Sequence, residues 1–403
     1  MTVEDRVIIV GAGPVGLTCA IRLTEAGIPA VVLEASDGPA DDLRASTWHP
    51  PTLDMLEPYG LTAQLIENGL VSPTWQIRLH ETGERAVFDL SVLADDTAHP
   101  YRLQCEQKVY VGLALDWLAR HGAGDLVRFG RRVVGASQTA DAVTVTLAAT
   151  DGGDEREPVT GRWLIGADGA RSAVREAMGQ QLGGKTYPET TILATTPFPF
   201  HEHLEGLSNV NYCWAEGGTF SLLRLPGAWR ASLYPGDGET LDEALAPAAI
   251  EAKLQAIVPR PEGYRVGEVR PYRIHQRIVD DYRNGRMLLA GDAAHLNSPS
   301  GGMGMNGGLH DAFNLTDKLI AVWRGEADEA VLDRYNRQRR PIAENAILAQ
   351  ADRNRKRMQE RDPTRRRALL KDLQETADTP AKAHAYLLRS SMIEGLRRAE
   401  AID

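Results

Sequence analysis

Residues 6–16 read Arg6-Val7-Ile8-Ile9-Val10-Gly11-Ala12-Gly13-Pro14-Val15-Gly16. Four consecutive β-branched residues predict a short strand buried on both faces, as strands of parallel sheets are. The six residues after it fit G-x-G-x-x-G. Gly11 permits the tight turn, Gly13 lets a pyrophosphate approach the backbone, and Gly16 packs the following helix on the sheet. Pro14 suits a first helical position, and residues 14–26 predict a helix with Val15, Cys19 and Leu23 on one face. Gly27 is a natural stop, and residues 30–33 predict a second strand. Together they make a βαβ unit whose helix N-terminus offers free N–H groups and partial positive charge to phosphates.

Glu34, followed by Ala35, ends the second strand, where an acid accepts hydrogen bonds from ribose hydroxyls. A carboxylate there repels a 2′-phosphate, so the ligand expected is FAD or NAD rather than NADP. The chain has 403 residues, 43% of them apolar, which is too long for one ordinary domain and ample for large cores. A formal charge of −10 argues against a nucleic-acid partner, because such binders present a basic face to phosphates. Cys19, Cys105 and Cys213 have neither metal-ligand nor C-x-x-C spacing, so no metal and a reducing compartment are expected. The N-terminus runs into the glycine motif without a leader pattern, and no apolar run is 18 residues long. A cytoplasmic protein without a membrane span is expected.

Further along, residues 106–120 predict a helix with Val109, Leu113 and Trp117 on its apolar face. Residues 133–149 predict a hairpin or meander ending at Asp151-Gly152-Gly153, and 163–167 another short strand. Residues 190–233 are strongly β-like, with a turn at Pro226-Gly227. Residues 287–290 return to a buried strand, followed by a long helix over about 305–323. From about Leu332 the pattern is helical, with Pro363 and Pro380 at first helical positions after the capping residues Asp362 and Thr379. The arginines at 353, 355, 357, 361 and 365–367 predict a solvated basic face on that tail.

Two more motifs lie far from the first. One is Leu164-Ile165-Gly166-Ala167-Asp168-Gly169-Ala170-Arg171-Ser172. The other is Gly285-Arg286-Met287-Leu288-Leu289-Ala290-Gly291-Asp292-Ala293-Ala294-His295, continued by Pro299-Ser300-Gly301-Gly302-Met303-Gly304-Met305-Asn306. In this order, over roughly residues 5–345, they resemble the single-component FAD-dependent aromatic hydroxylases typified by para-hydroxybenzoate hydroxylase.

That resemblance implies an α/β fold: a doubly wound, Rossmann-like FAD-binding domain with an inserted β-rich substrate domain and a helical C-terminal segment. The FAD domain is expected at 1–72, 101–180 and 281–345, the substrate domain at 73–100 and 181–280, and the helical tail at 346–403. It implies FAD held by Gly11, Gly13, Pro14, Val15, Gly16, Glu34, Ala35, Arg44, Gln104, Val134 (adenine), Asp168, Asp292 (ribityl hydroxyls), Pro299, Gly302 and the N–H groups of Gly304, Met305 and Asn306. It implies hydroxylation of a phenol- or pyridinol-like ring through a flavin C4a-hydroperoxide, with NADH or NADPH and O2. The competing activity on the same scaffold is Baeyer-Villiger oxidation, epoxidation or saturation. Arg44, His49, Pro299, Tyr212 and Tyr272 are the catalytic candidates. Trp214, Phe220, Arg224, Arg230 and His275 are candidates for the substrate pocket, where an arginine could grip a carboxylate and a tyrosine or histidine deprotonate a phenol. A homodimer is one arrangement open to such a protein.

Overall fold

The computed structural model describes residues 5–41, 44–148 and 158–403. The acidic-glycine turn expected at 151–153 lies outside them. Val7–Val10 is a fully buried strand between Ala30–Leu33 and Trp163–Gly166, in parallel register with both. Met287–Leu289 extends the sheet beyond Trp163–Gly166, Val127–Arg128 extends it beyond Ala30–Leu33, and Arg283–Asn284 closes one edge antiparallel. This six-stranded sheet is therefore assembled from distant segments, as the recurring apolar runs imply. The helices Pro14–Glu25, Gln107–Arg120 and Met303–Trp323 pack together over it within one core.

The second large sheet has eight strands, and its centre runs Val269–Ile278, Gly183–Thr196, Ala228–Leu233, Gly218–Leu225, Val210–Ala215, Thr74–Leu79. Its residues alternate between two cores. Ile192, Cys213, Phe220, Trp229 and Ala231 pack with Leu254 and neighbouring apolar side chains. Trp75, Ile77, Val210 and Trp214 face Met358, Leu370, Leu387 and Ile393 of the C-terminal helices. The short strand His295–Leu296, from the segment assigned to the FAD domain, pairs with this sheet.

Several local expectations need correction. The helix Gln107–Arg120 buries Tyr110, Val111, Ala114, Trp117 and Leu118; Val109 and Leu113 are only partly covered, because two neighbours rather than one flank it. The long helix begins at Met303, with Gly302 in left-handed conformation at its N-cap. Asp362 caps its helix through the N–H groups of Thr364 and Arg365, whereas the Thr379 hydroxyl turns back to the Glu375 carbonyl and caps nothing. The tail is a solvated basic face only in part: Arg353, Arg361, Arg365 and Arg367 are exposed, whereas Arg355, Arg357 and Arg366 turn toward the sheet. Arg366 is 5% exposed and donates to the carbonyls of Glu360, Ala215 and Gly218; Arg355 pairs with Glu189 and lies over the Tyr187 ring. These arginines fasten the tail to the sheet, because strand-end carbonyls there need donors.

Candidate active site

The first glycine turn opens on a cleft of about 320 Å³ lined by Gly11, Gly13, Glu34, Ala35, Arg44 and Asp168 among others. Gly11 has φ +101°, and a Cβ on it would strike the Ala167 carbonyl. A Cβ on Gly16 would strike the Gly11 carbonyl. Gly11 is thus demanded by its left-handed backbone and the approach of Ala167, and Gly16 by the packing of the helix on the turn. A Cβ on Gly13 would meet nothing within 4 Å, so this backbone faces open space, as close approach of a pyrophosphate requires. Pro14 is buried at the start of the helix, and the Val15 side chain wedges against Gly291 and Gly308, joining the first motif to the third.

Glu34 is held at the turn. Its Oε2 accepts from the Ala12 N–H at 2.8 Å and its Oε1 from the Ser36 N–H and hydroxyl at 2.9 Å. Oε2, with one bond made, keeps an acceptor site for a ribose hydroxyl. Asp168 accepts from the Val174 N–H at 3.2 Å through Oδ2, while its Oδ1 is buried without a partner; burial raises its carboxyl above the usual range.

Three expected cofactor residues lie differently. Val134 is 43% exposed, while Val133 is buried and lines the cleft; a one-residue step in a strand reverses the face. Gln104 is fully buried, accepting from the Thr47 hydroxyl at 3.1 Å, with its Nε2 unpartnered, and Gln107 lines the cleft instead. Asn306 is the fourth helical residue, the first whose N–H can reach an intrahelical carbonyl, so the free N–H groups belong to Met303, Gly304 and Met305. The Asn306 side chain is a clamp: it accepts from the His49 N–H and donates to the carbonyls of Thr47 and Gly302.

Asp292 follows the strand Met287–Leu289. It is exposed, yet protein close around it raises its carboxyl by lost hydration, with His295 and Arg44 pulling it back. Tyr272 shares this field: its hydroxyl is pushed up to about 12 by burial and by Asp292, against Arg44. Arg44, Asp292 and Tyr272, separated by more than 200 residues at the extremes, are therefore neighbours. Pro299 is exposed and its carbonyl receives the Gly302 N–H at 3.0 Å, forming the turn that enters the helix. Gly301, Gly302 and Gly304 are clamped; added Cβ atoms would lie 2.9 Å from Asn354 Nδ2, 2.8 Å from Thr47 Cβ and 2.7 Å from Asn297 Oδ1.

A second, narrow cavity lies between this loop, the eight-stranded sheet and the tail. Ser300 and Gly301, Trp75, Tyr212, Arg102 and Tyr386 form much of its wall. Of the candidates for the ring pocket, it contains Tyr212. Trp214 points under the tail, its indole N–H donating to the Arg357 carbonyl at 3.0 Å. Phe220 lies in the core of the opposite sheet face. Arg224 is half-buried and lines neither cavity. His275, three residues from Tyr272 and so on the other face, bonds the Thr186 hydroxyl at 3.0 Å. Arg230 is 3% exposed and is a structural anchor: it donates to the Arg44 carbonyl, the Ser46 hydroxyl and Glu106 at 2.8–3.0 Å, holding the segment that carries Arg44. His49 is fully buried; its Nε2 donates to the Gly301 carbonyl at 2.8 Å, and burial together with Arg102 holds it down at about 3. In its neutral form it props the loop through Nε2, while its Nδ1 is buried without a partner.

The sequence reading passed over two features. Arg102 carried no motif. The buried triad His295–Asp311–Arg339 fastens the third motif: Asp311 accepts from His295 Nε2 at 2.8 Å, Arg339 Nε at 2.7 Å and the Gly291 N–H at 3.2 Å. Asp311 lies on the long helix, and its partners His295 and Arg339 are 16 and 28 residues away.

Comparisons with known proteins follow the geometry. A family model described as "FAD binding domain" matches residues 4–350. The chain is 33% identical over 404 residues to para-nitrophenol 4-monooxygenase of Pseudomonas sp. WBC-3, covering 99% of this chain and 98% of that protein. It is 35% identical to 6-hydroxy-3-succinoylpyridine 3-monooxygenase of Pseudomonas putida S16, over 84% of this chain and 85% of the relative. Its fold matches the crystal structure of p-nitrophenol 4-monooxygenase from Pseudomonas putida DLL-E4 with a TM-score of 0.89 at 31% identity, covering 98% and 99% of the two chains. A glycine turn and an acid lining one cleft, and a glycine loop beside an aromatic cavity, matched along the whole chain to such relatives, place this protein in the FAD-binding-domain family, among the FAD-dependent aromatic hydroxylases.

Proposed function

We propose that the protein hydroxylates a small phenol or hydroxypyridine, taking electrons from NADH or NADPH and oxygen from O2. One observation carries the reading: a single segment, residues 292–302, runs from Asp292, in the field of Arg44 of the cleft, through the short strand His295–Leu296 to Ser300 and Gly301 in the wall of the aromatic cavity. Cofactor and ring would therefore meet across that segment. The relatives named above act on a phenol and a hydroxypyridine.

The residues fit FAD. Gly13 and the N-terminus of Pro14–Glu25 would take the pyrophosphate, Glu34 the adenosine ribose, Val133 the adenine side and Asp292 the ribityl hydroxyls. The N–H groups of Met303, Gly304 and Met305 would place partial positive charge beside negative charge on the isoalloxazine. Bound FAD supplies the redox chemistry that no side chain can, accepting hydride and activating O2. The protein positions the ring, with Tyr212 and the Ser300–Gly301 backbone against it, and excludes water from the narrow cavity. Arg230 and His49 keep the Arg44 segment and the glycine loop in place. We further propose that residues 73–100 and 181–280 act as the substrate domain, that the tail from 346 completes its pocket, and that the protein works in the cytoplasm. Among the described residues no helix is long and apolar enough to cross a membrane.

The test is oxidation of NADH and NADPH by the FAD-loaded protein with a panel of phenols and hydroxypyridines. Stimulated oxidation with a product heavier by one oxygen is expected. An FAD-loaded protein that no such ring stimulates would overturn the reading.

A further inference from the structure

The aromatic cavity holds a charge that the fold leaves unbalanced. Arg102 is 3% exposed, and neither its Nε nor its Nη1 has a hydrogen-bond partner. Among the described residues no carboxylate forms an ion pair with it. Its guanidinium lies 4.9 Å from the centre of the Trp75 ring, with the Tyr212 hydroxyl in hydrogen-bonding reach. Burying a cation without a counter-charge is costly. Trp75 and Ile77 beside it would pack equally well on an apolar side chain, so packing does not explain the guanidinium. A ligand anion would.

The walls narrow the kind of anion. Tyr212 faces the cavity from Val210–Ala215, Tyr386 and Ser390 from Pro380–Ser390, and Arg357 from Ala349–Met358, its Nη1 donating to the Tyr386 hydroxyl at 3.0 Å. Ser300 faces it from the glycine loop. No carboxylate and no imidazole is among the lining residues; His49 lies behind Gly301, its Nε2 donating to that carbonyl. The cavity therefore offers two cations to a negative oxygen and no base to take a phenol's proton.

We propose that Arg102 is the receptor for the oxyanion of the substrate ring, so that the ring is bound as a phenolate or hydroxypyridine anion with its proton released to water. The O–H bond breaks heterolytically, its electron pair stays on oxygen, and no protein group is protonated. Phenols acidified by electron-withdrawing substituents are then the preferred class, because they reach the anion at the smallest cost. This rests on the cavity being the ring site of the function proposed above.

The probe is 4-nitrophenol, whose phenolate absorbs at longer wavelength than the phenol, titrated into the FAD-loaded protein and read by difference spectra across pH. Bound 4-nitrophenol should ionise at least about one pH unit below its value in water, a tenfold bias to the anion. Wild-type protein should bind 4-nitroanisole, which cannot ionise, at least about tenfold more weakly, a comparison needing no variant. Arg102→Met should lose the pH bias and bind 4-nitrophenol at least about tenfold more weakly, at unchanged FAD content, while Arg102→Lys retains part of both. A neutral bound phenol, equal binding of the anisole, or an undiminished Arg102→Met protein would overturn the inference. So would tighter binding of 4-nitrobenzoate than of 4-nitrophenolate, since the receptor would then serve a carboxylate. Anion binding through Arg102 without any stimulated NAD(P)H oxidation would uphold the inference and sink the proposed function; stimulated oxidation with a neutral bound phenol would do the reverse.

Discussion

Asp311→Asn should destabilise this protein more than any surface substitution, through charge left unpaired in the core. Asp311 is fully buried and Arg339 is 1% exposed, with Nε donating at 2.7 Å. Arg339 Nη1 already lacks a partner, and its Nη2 reaches only the Gly307 carbonyl at 3.3 Å. An asparagine keeps one acceptor oxygen. If that oxygen faces Arg339, the amide NH2 is pressed against the Gly291 N–H and His295; if it faces Gly291, the NH2 is pressed against the guanidinium. Either way a buried cation loses its counter-charge, a change that costs about 3–5 kcal/mol. Against a total stability of about 5–15 kcal/mol, that is a large fraction. Urea unfolding of the FAD-loaded protein should show a clearly lower midpoint with an unchanged slope. Replacing both partners, Asp311→Leu with Arg339→Met, should recover much of the loss, because the desolvation cost disappears with the pair. The pH dependence has a definite sign. Burial alone would raise the Asp311 carboxyl, but Arg339 and His295 outweigh it and hold it below the usual carboxylate range. Its contribution is therefore fully present above that range and is lost only as pH falls through the depressed value. An Asp311→Asn protein with a wild-type midpoint, or one whose deficit against wild type is largest in strong acid and vanishes at neutral pH, would refute the reasoning.

Two further predictions separate folding from cofactor binding. Gly13→Ala should leave the unfolding midpoint of the cofactor-free protein unchanged and weaken FAD, because its Cβ meets open space, whereas Gly16→Ala should unfold the protein by striking the Gly11 carbonyl; circular dichroism with flavin titration distinguishes them, and equal effects would contradict the geometry. Asp292→Ala should fold normally and bind FAD about tenfold to a hundredfold more weakly, the value of a charge-assisted hydrogen bond; an unchanged flavin titration would show that Asp292 serves another purpose.

The amino-acid sequence alone determined the elements whose causes are local. Val7–Val10 is a buried strand because its residues are β-branched and uninterrupted, and Gly16 is a glycine because strand and helix touch within ten residues. Gly13 and Glu34 lie on a nearly continuous stretch, so this part of the cleft lining could be read before any contact was known. Asp292 could be singled out because it sits in an unbroken motif. Tertiary structure alone decided the rest, because its causes lie far along the chain. Strand pleat chooses Val133 over Val134 for the cleft, and no composition pattern reveals which face a strand turns inward. Tyr212 and Trp214 share one face, and only the tail decides between them, by covering Trp214 and leaving Tyr212 in the cavity wall. Arg230 was a credible substrate clamp until the Arg44 carbonyl, 186 residues away, was found against it. The tail's arginines spell a solvated helix, yet Arg366 is buried because the carbonyls of Ala215 and Gly218 lie above it. Arg102 belongs to no motif at all; it draws notice only because folding surrounds it with walls and brings no carboxylate, and the absence of a partner is a property that only three dimensions can express.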